Sequence, residues 1–223
     1  FKRHLIDMEF AHGLAGNFLN VPTRIYHGKA DRVVEPTQAP HMTRRLREAG
    51  CPVELIEFDD EDHWLESAVF ADGSLERWME GKQRRRFPTK IDFTTHTTRY
   101  PGAYWIEIDG IRNWTEPAVV RAQVLAPDRV RLDLDNVTGV TLTAARELFG
   151  DTRALTIVSR QGGETVVRVP DDRKVRFPPV ALAEEPVTKT RQLMGPIKEA
   201  YNSRFLLVRG TGGTDQDQAD NEE

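Results

Sequence analysis

Residues Val21 to Trp64 read VPTRIYHGKADRVVEPTQAPHMTRRLREAGCPVELIEFDDEDHW. Val21–Tyr26 is a short β-prone run that ends in His27-Gly28, where a strand can stop and turn. Asp31 sits in the loop just beyond. From Gln38 to Ala49, Met42, Leu46 and Ala49 recur at helical spacing with arginines between them, and Gly50 supplies the stop. Val53–Phe58 is a second β-prone run, and the acidic loop Asp59–Asp62 after it delivers His63. The expected unit is strand, helix, strand. A helical crossover joins parallel strands, so both end at the same edge of their sheet. Asp31 and His63 are therefore expected side by side on one rim, the layout in which an acid orients an imidazole and the imidazole activates a hydroxyl.

The same positions resemble the C-terminal end of an α/β-hydrolase, most closely the prolyl oligopeptidase (S9) branch. That branch carries P-x-x-x-x-H-G-x-x-D-x-x-V, a helix ending L-x-x-x-G, then V-E-L and a loop with His-Trp. Here these are Pro22, His27, Gly28, Asp31, Val34, Leu46, Gly50, Val53, Glu54, Leu55, His63 and Trp64. The resemblance implies Asp31 as triad acid, His63 as triad base, a peptide or ester substrate, and no cofactor or metal. The order acid then histidine fits a fold in which the serine comes first. No G-x-S-x-G elbow is present; the serines are Ser67, Ser74, Ser159 and Ser203, none with the elbow's glycines two positions before and after it. The nucleophile is expected upstream in the same parent chain, and a degenerate, non-catalytic hydrolase half serving as a binding or structural module is the alternative.

The expected fold is α/β followed by all-β. Residues 1–82 would form the C-terminal portion of a parallel α/β-hydrolase sheet with flanking helices, and 83–88 a linker. A β-sandwich-like domain over 89–180, a helix–strand extension over 181–213 and an acidic disordered tail over 214–223 would follow.

The chain has 223 residues, 39% hydrophobic and 30% charged, with a net charge of −4. A nucleic-acid binder usually shows a basic face, so no nucleic-acid partner is expected. No apolar run reaches the roughly 18 residues of a membrane span. The single cysteine, Cys51, opens a predicted strand and reads as a buried structural thiol. Arg84, Arg85 and Arg86 read as a solvated linker, with a phosphate-binding patch as the other reading.

Several residues carry two readings. His27 is expected to pack and hydrogen-bond beneath the acid loop, or to join Asp31 and His63 in a two-histidine, one-carboxylate metal site. Asp59 to Asp62 are expected to favour the protonated imidazole of His63. Trp64 should pack the loop. Leu65–Lys82 reads as one helix, with Trp78 covering the sheet.

From Phe87 to about Val180 the pattern changes to period two. Candidate strands are Lys90–Thr95, Ala103–Asp109, Ala118–Leu125, Val130–Leu134, Gly139–Thr143, Leu155–Ser159, Thr165–Val169 and Lys174–Phe177, separated by Gly, Pro, Asn and Asp turn signals. Alternation puts Tyr104, Ile106 and Ile108 on one face and Trp105 and Glu107 on the other. Trp114 reads as a cap on the sandwich or a carbohydrate platform. Three pieces, RYPGAYWIEIDGI (99–111), DNVTGVTL (135–142) and KTRQLMGPIKEAYNSRFLLVRGT (189–211), resemble the accessory β domain of some bacterial prolyl-oligopeptidase-like proteins. That resemblance implies a spacer or docking surface. A short helix after Gly195-Pro196, a strand at Phe205–Val208 and a glycine run at Gly210–Gly213 close the readable part.

Overall fold

The β-prone runs at either end of the opening stretch form β1 (Thr23–Gly28) and β2 (Val53–Phe58). They pair in parallel, with Ile25 opposite Leu55 and Gly28 opposite Phe58. The connection is α1 (Gln38–Glu48), which buries Ala39, Thr43 and Leu46, the i, i+4, i+7 stripe of an amphipathic helix. Leu46 forms a small core with Ala15 and Cys51, against which Ile25, Met42 and Val53 pack. The helix ends where Gly50 takes φ +77°, a left-handed conformation open to glycine. The computed structural model describes residues 11–160 and 163–178.

Leu65–Lys82 divides into two short helices, α2 (Glu66–Phe70) and α3 (Ser74–Met79). The break falls at Asp72-Gly73: Asp72 Oδ1 accepts the Ser74 N–H at 2.8 Å, and Gly73 has φ +66°. Trp78 on α3 does lie across the two-stranded sheet. Its Nε1 donates to Glu54 Oε1 at 2.9 Å, and the Arg24 guanidinium stacks 4.8 Å from its ring centre.

Residues 90–177 supply nine further strands among the described residues: β3 (Lys90–Thr95), β4 (Gly102–Ala103), β5 (Ile106–Ile111), β6 (Ala118–Ala126), β7 (Arg129–Asp135), β8 (Val137–Thr143), β9 (Ala154–Ser159), β10 (Glu164–Arg168) and β11 (Lys174–Phe177). A four-residue helix, α4 (Arg146–Phe149), precedes β9. One sheet has the order β10-β9-β7-β6-β3, the other β11-β8-β5-β4. The first is mixed because β7 and β9 run parallel. Alternate residues point inward, Val120 and Ala122 on β6, Val130 and Leu132 on β7, Ile106 and Ile108 on β5, Val140 and Leu142 on β8, and all join one buried cluster. Asn136 is the only residue between β7 and β8, which belong to different sheets. It takes φ +56°, a conformation asparagine tolerates, and its side-chain amide donates to the carbonyls of Asn113 (2.7 Å) and Glu116 (2.9 Å).

The expected α/β class, a parallel α/β-hydrolase sheet with flanking helices followed by all-β, does not hold. Strand accounts for 39% of the structure and helix for 20%, and most strands lie in the mixed and antiparallel sheets. Among the described residues the sheet that holds β1 and β2 is two strands wide. Glu54, Ile56 and Glu57 of β2 are exposed, whereas a strand inside a parallel sheet is covered on both faces. The described residues build one strand–helix–strand unit and not a wider parallel sheet around it.

Trp105 is a second correction. It shares the core with Ile106 rather than the outer face with Glu107. Tyr104 and Trp105 form a turn between β4 and β5, with Tyr104 at φ +59°, so the period of two starts only at Ile106. Trp105 is 2% exposed, its Nε1 donates to Pro88 O at 2.8 Å, and its ring meets Phe149 edge-on at 5.7 Å.

A 3-10 helix, Ala11–Phe18, closes the open edge of β3. The Asn17 amide acts as a neighbouring strand would, donating to Thr94 O at 2.9 Å and accepting Thr94 N–H at 2.7 Å. The helix after Gly195-Pro196, Ser203, the Phe205–Val208 strand, the glycine run and the acidic tail lie outside the described residues.

Candidate functional site

Because β1 and β2 are parallel and in register, the loops after Gly28 and Phe58 leave from one rim. Backbone hydrogen bonds lace them together: Lys29 N–H to Phe58 O at 2.8 Å and Ala30 N–H to Glu61 O at 3.0 Å. The second loop passes so close over Gly28 that a Cβ there would lie 2.2 Å from Glu61 O and 2.5 Å from Asp62 O. Only glycine admits this approach. Asp62 adds a side-chain tie, its Oδ1 accepting the N–H groups of Arg32 (3.0 Å) and His63 (2.7 Å).

These contacts bring Asp31 and His63 together. His63 Nδ1 lies 3.1 Å from Asp31 Oδ2, and Asp31 Oδ1 accepts the N–H groups of Val33 (2.8 Å) and Val34 (2.9 Å). The Asp31 side chain is 3% exposed and that of His63 is 32% exposed. Burial works against a charge on Asp31 and is the largest single influence. The amides of Val34 and Val33 and the His63 ring together outweigh it and hold the carboxyl at about 2. The Asp31 carboxylate is thus fixed, ionised and aimed at one ring nitrogen. Asp62 is likewise held below the ordinary carboxylate range, first by the Arg32 amide and then by the His63 amide.

Asp31, and none of the four acids Asp59–Asp62 that precede the imidazole in sequence, reaches a ring nitrogen. Asp62 bonds backbone, and Asp59 pairs with Lys29 at 2.6 Å. The other nitrogen of His63, Nε2, has no hydrogen-bond partner among the described residues, so none of Ser67, Ser74 and Ser159 donates to it. Trp64 does not pack the loop: it is 77% exposed and stands edge-on to the His63 ring at 5.3 Å. The Asp62 carboxylate anchors the loop instead.

His27 is 8% exposed and sits beneath the acid loop, with Nε2 3.9 Å from Asp31 Oδ2. That is longer than a hydrogen bond, so the expected bond is not formed at this distance. Among the described residues no group of three or more His, Cys, Asp or Glu side chains is arranged to hold a metal ion, and no helix is long and apolar enough to cross a membrane. Cys51 is buried and its thiol donates to Ala15 O at 3.2 Å. Arg84 and Arg86 lie over the rings of Tyr104 and Phe87, and Trp114 is 51% exposed.

Two contributors to the rim escape sequence reading. Asp62 is hidden in an acidic run whose members look alike, and Gly28 reads as a strand stop when its main task is to admit the other loop. An acid–imidazole pair with a bare second nitrogen can hold one tautomer and accept a proton at Nε2. No family model, curated protein or solved structure matches this chain.

Proposed function

We propose that Asp31 and His63 are the acid and base of a serine hydrolase, a peptidase or esterase of the prolyl-oligopeptidase type, with the nucleophilic serine supplied upstream in the parent chain. The substrate is a peptide or an ester. The serine hydroxyl attacks the acyl carbon, His63 Nε2 takes its proton and then gives it to the leaving group, and Asp31 holds the proton on Nδ1 and stabilises the imidazolium. The supporting observation is the 3.1 Å contact between His63 Nδ1 and a buried, doubly amide-bonded carboxylate.

The test is fluorophosphonate labelling of the parent protein that joins this sequence to its serine. Labelling that His63→Ala abolishes and Asp31→Asn slows, by about 10⁴-fold if the wrong tautomer results, is the expected result. A parent that takes no label overturns the reading. The 223 residues alone should not hydrolyse a p-nitrophenyl ester above background.

The other reading is a binding module with a degenerate hydrolase half, which calls for an exposed aromatic patch involving Trp105 or Trp114. Trp114 is 51% exposed, whereas Trp105 is in the core.

A further inference from the structure

Asp31 accepts three of the roughly four hydrogen bonds that a carboxylate can take. Val33 and Val34 fill Oδ1, and His63 occupies one position on Oδ2. The remaining position belongs to Oδ2, and Nε2 of His27 lies 3.9 Å from that same oxygen. Nε2 is itself buried without a hydrogen-bond partner. Two buried polar groups, each one partner short, therefore face one another across a gap about 1 Å longer than a hydrogen bond. Buried polar atoms are nearly always paired, and hydrogen bonds around reacting groups are often long until a ligand is bound.

We propose that His27 is a positioning residue. Held as the Nε2–H tautomer, it donates to Asp31 Oδ2, so that two imidazoles flank one carboxylate and fix its aim at Nδ1 of His63. Backbone placement supports this. His27 is the penultimate residue of β1, paired in register with Glu57 on β2, and the next residue, Gly28, lies directly under the His63 loop. Asp31 follows at i+4, after the turn closed by Asp31 N–H to Gly28 O at 3.2 Å. The strand end and the turn thus set the His27 ring against the acid, while the neighbouring strand brings His63 to the same carboxylate oxygen. This role rests on the reading of Asp31 and His63 as acid and base.

The test is nitrogen NMR of the 223-residue chain, with two substitutions that separate donor from packing. His27→Phe keeps a ring and loses the donor; His27→Gln loses the ring and keeps an N–H near the position of Nε2. The readout is solvent exchange of the His63 Nδ1 proton. His27→Phe should speed exchange by about tenfold, the equivalent of one lost hydrogen bond to a charged group, and His27→Gln should stay close to wild type. The reverse pattern, equal loss in both, or no change in either would overturn the proposal. The wild-type tautomer decides the matter where a variant does not fold: Nε2–H on His27 supports the proposal and Nδ1–H ends it. Failure of the hydrolase reading shows separately, as a parent protein silent to fluorophosphonate.

Discussion

His63 Nδ1 lies 3.1 Å from Oδ2 of Asp31, although 32 positions separate them in the chain. Parallel pairing of β1 and β2 accounts for the meeting, because it sends both following loops off the same edge. Gly28 and Asp62 then hold the loops at contact distance, one by lacking a side chain and the other by bonding an amide in each loop.

Acid should loosen this rim in a defined window. Asp31 has a folded-state value of about 2 against an ordinary 3.8. A carboxyl with a depressed folded value contributes stability above its unfolded value and loses it as pH falls through the folded one. Urea unfolding between pH 3.8 and about 2 should show stability falling with pH, and Asp31→Asn should flatten that slope. Equal slopes in the two proteins would contradict the assignment. The variant is needed because Asp59 and Asp62 are also held low.

Gly28→Ala should separate the loops. The added Cβ would meet backbone oxygen at 2.2 Å, and backbone cannot swing aside as a side chain can. Overpacking of this kind costs about 1–3 kcal/mol. Denaturant unfolding should show the loss, and the His63 Nδ1 proton should exchange freely. A variant with wild-type stability and a protected proton would show that the loops do not touch as described.

Asn17→Ala should expose the edge of β3. It removes both hydrogen bonds to Thr94, and two unpaired backbone groups at a partly buried edge cost about 1–3 kcal/mol. The Thr94 amide should exchange with solvent much faster in the variant. Unchanged exchange would mean that Asn17 is not the partner of this strand.

Cys51 should be inert in the folded protein. Burial, first, and the Asp92 charge push its thiol up, and the thiolate is the reactive form. Ellman's reagent at neutral pH should react only as the chain unfolds. Fast stoichiometric reaction under native conditions would place Cys51 at the surface.

The strands after Phe87 were legible because an inward residue recurs at every second position, as Val120 and Ala122 on β6 or Val140 and Leu142 on β8 show. The pattern misled at Trp105, where the left-handed Tyr104 re-aims the chain and no local signal announces it. The Asp31–His63 meeting was also legible, since it needs only two strands and a crossover. The width of the sheet was not: a single strand–helix–strand unit is compatible with two strands or many, and the exposed Glu54, Ile56 and Glu57 on β2 became informative only once burial was known. Trp64 followed the general preference of aromatic residues for burial, which the Asp62 anchor makes unnecessary here.

The central claim is that Asp31 sets the state of the His63 ring. Nitrogen NMR of the labelled chain near neutral pH reads that state directly. The account predicts a proton on Nδ1 and a bare Nε2 in the wild-type protein, with Asp31→Asn shifting the proton to Nε2. A wild-type ring protonated on Nε2, or one that Asp31→Asn leaves unaltered, would contradict it.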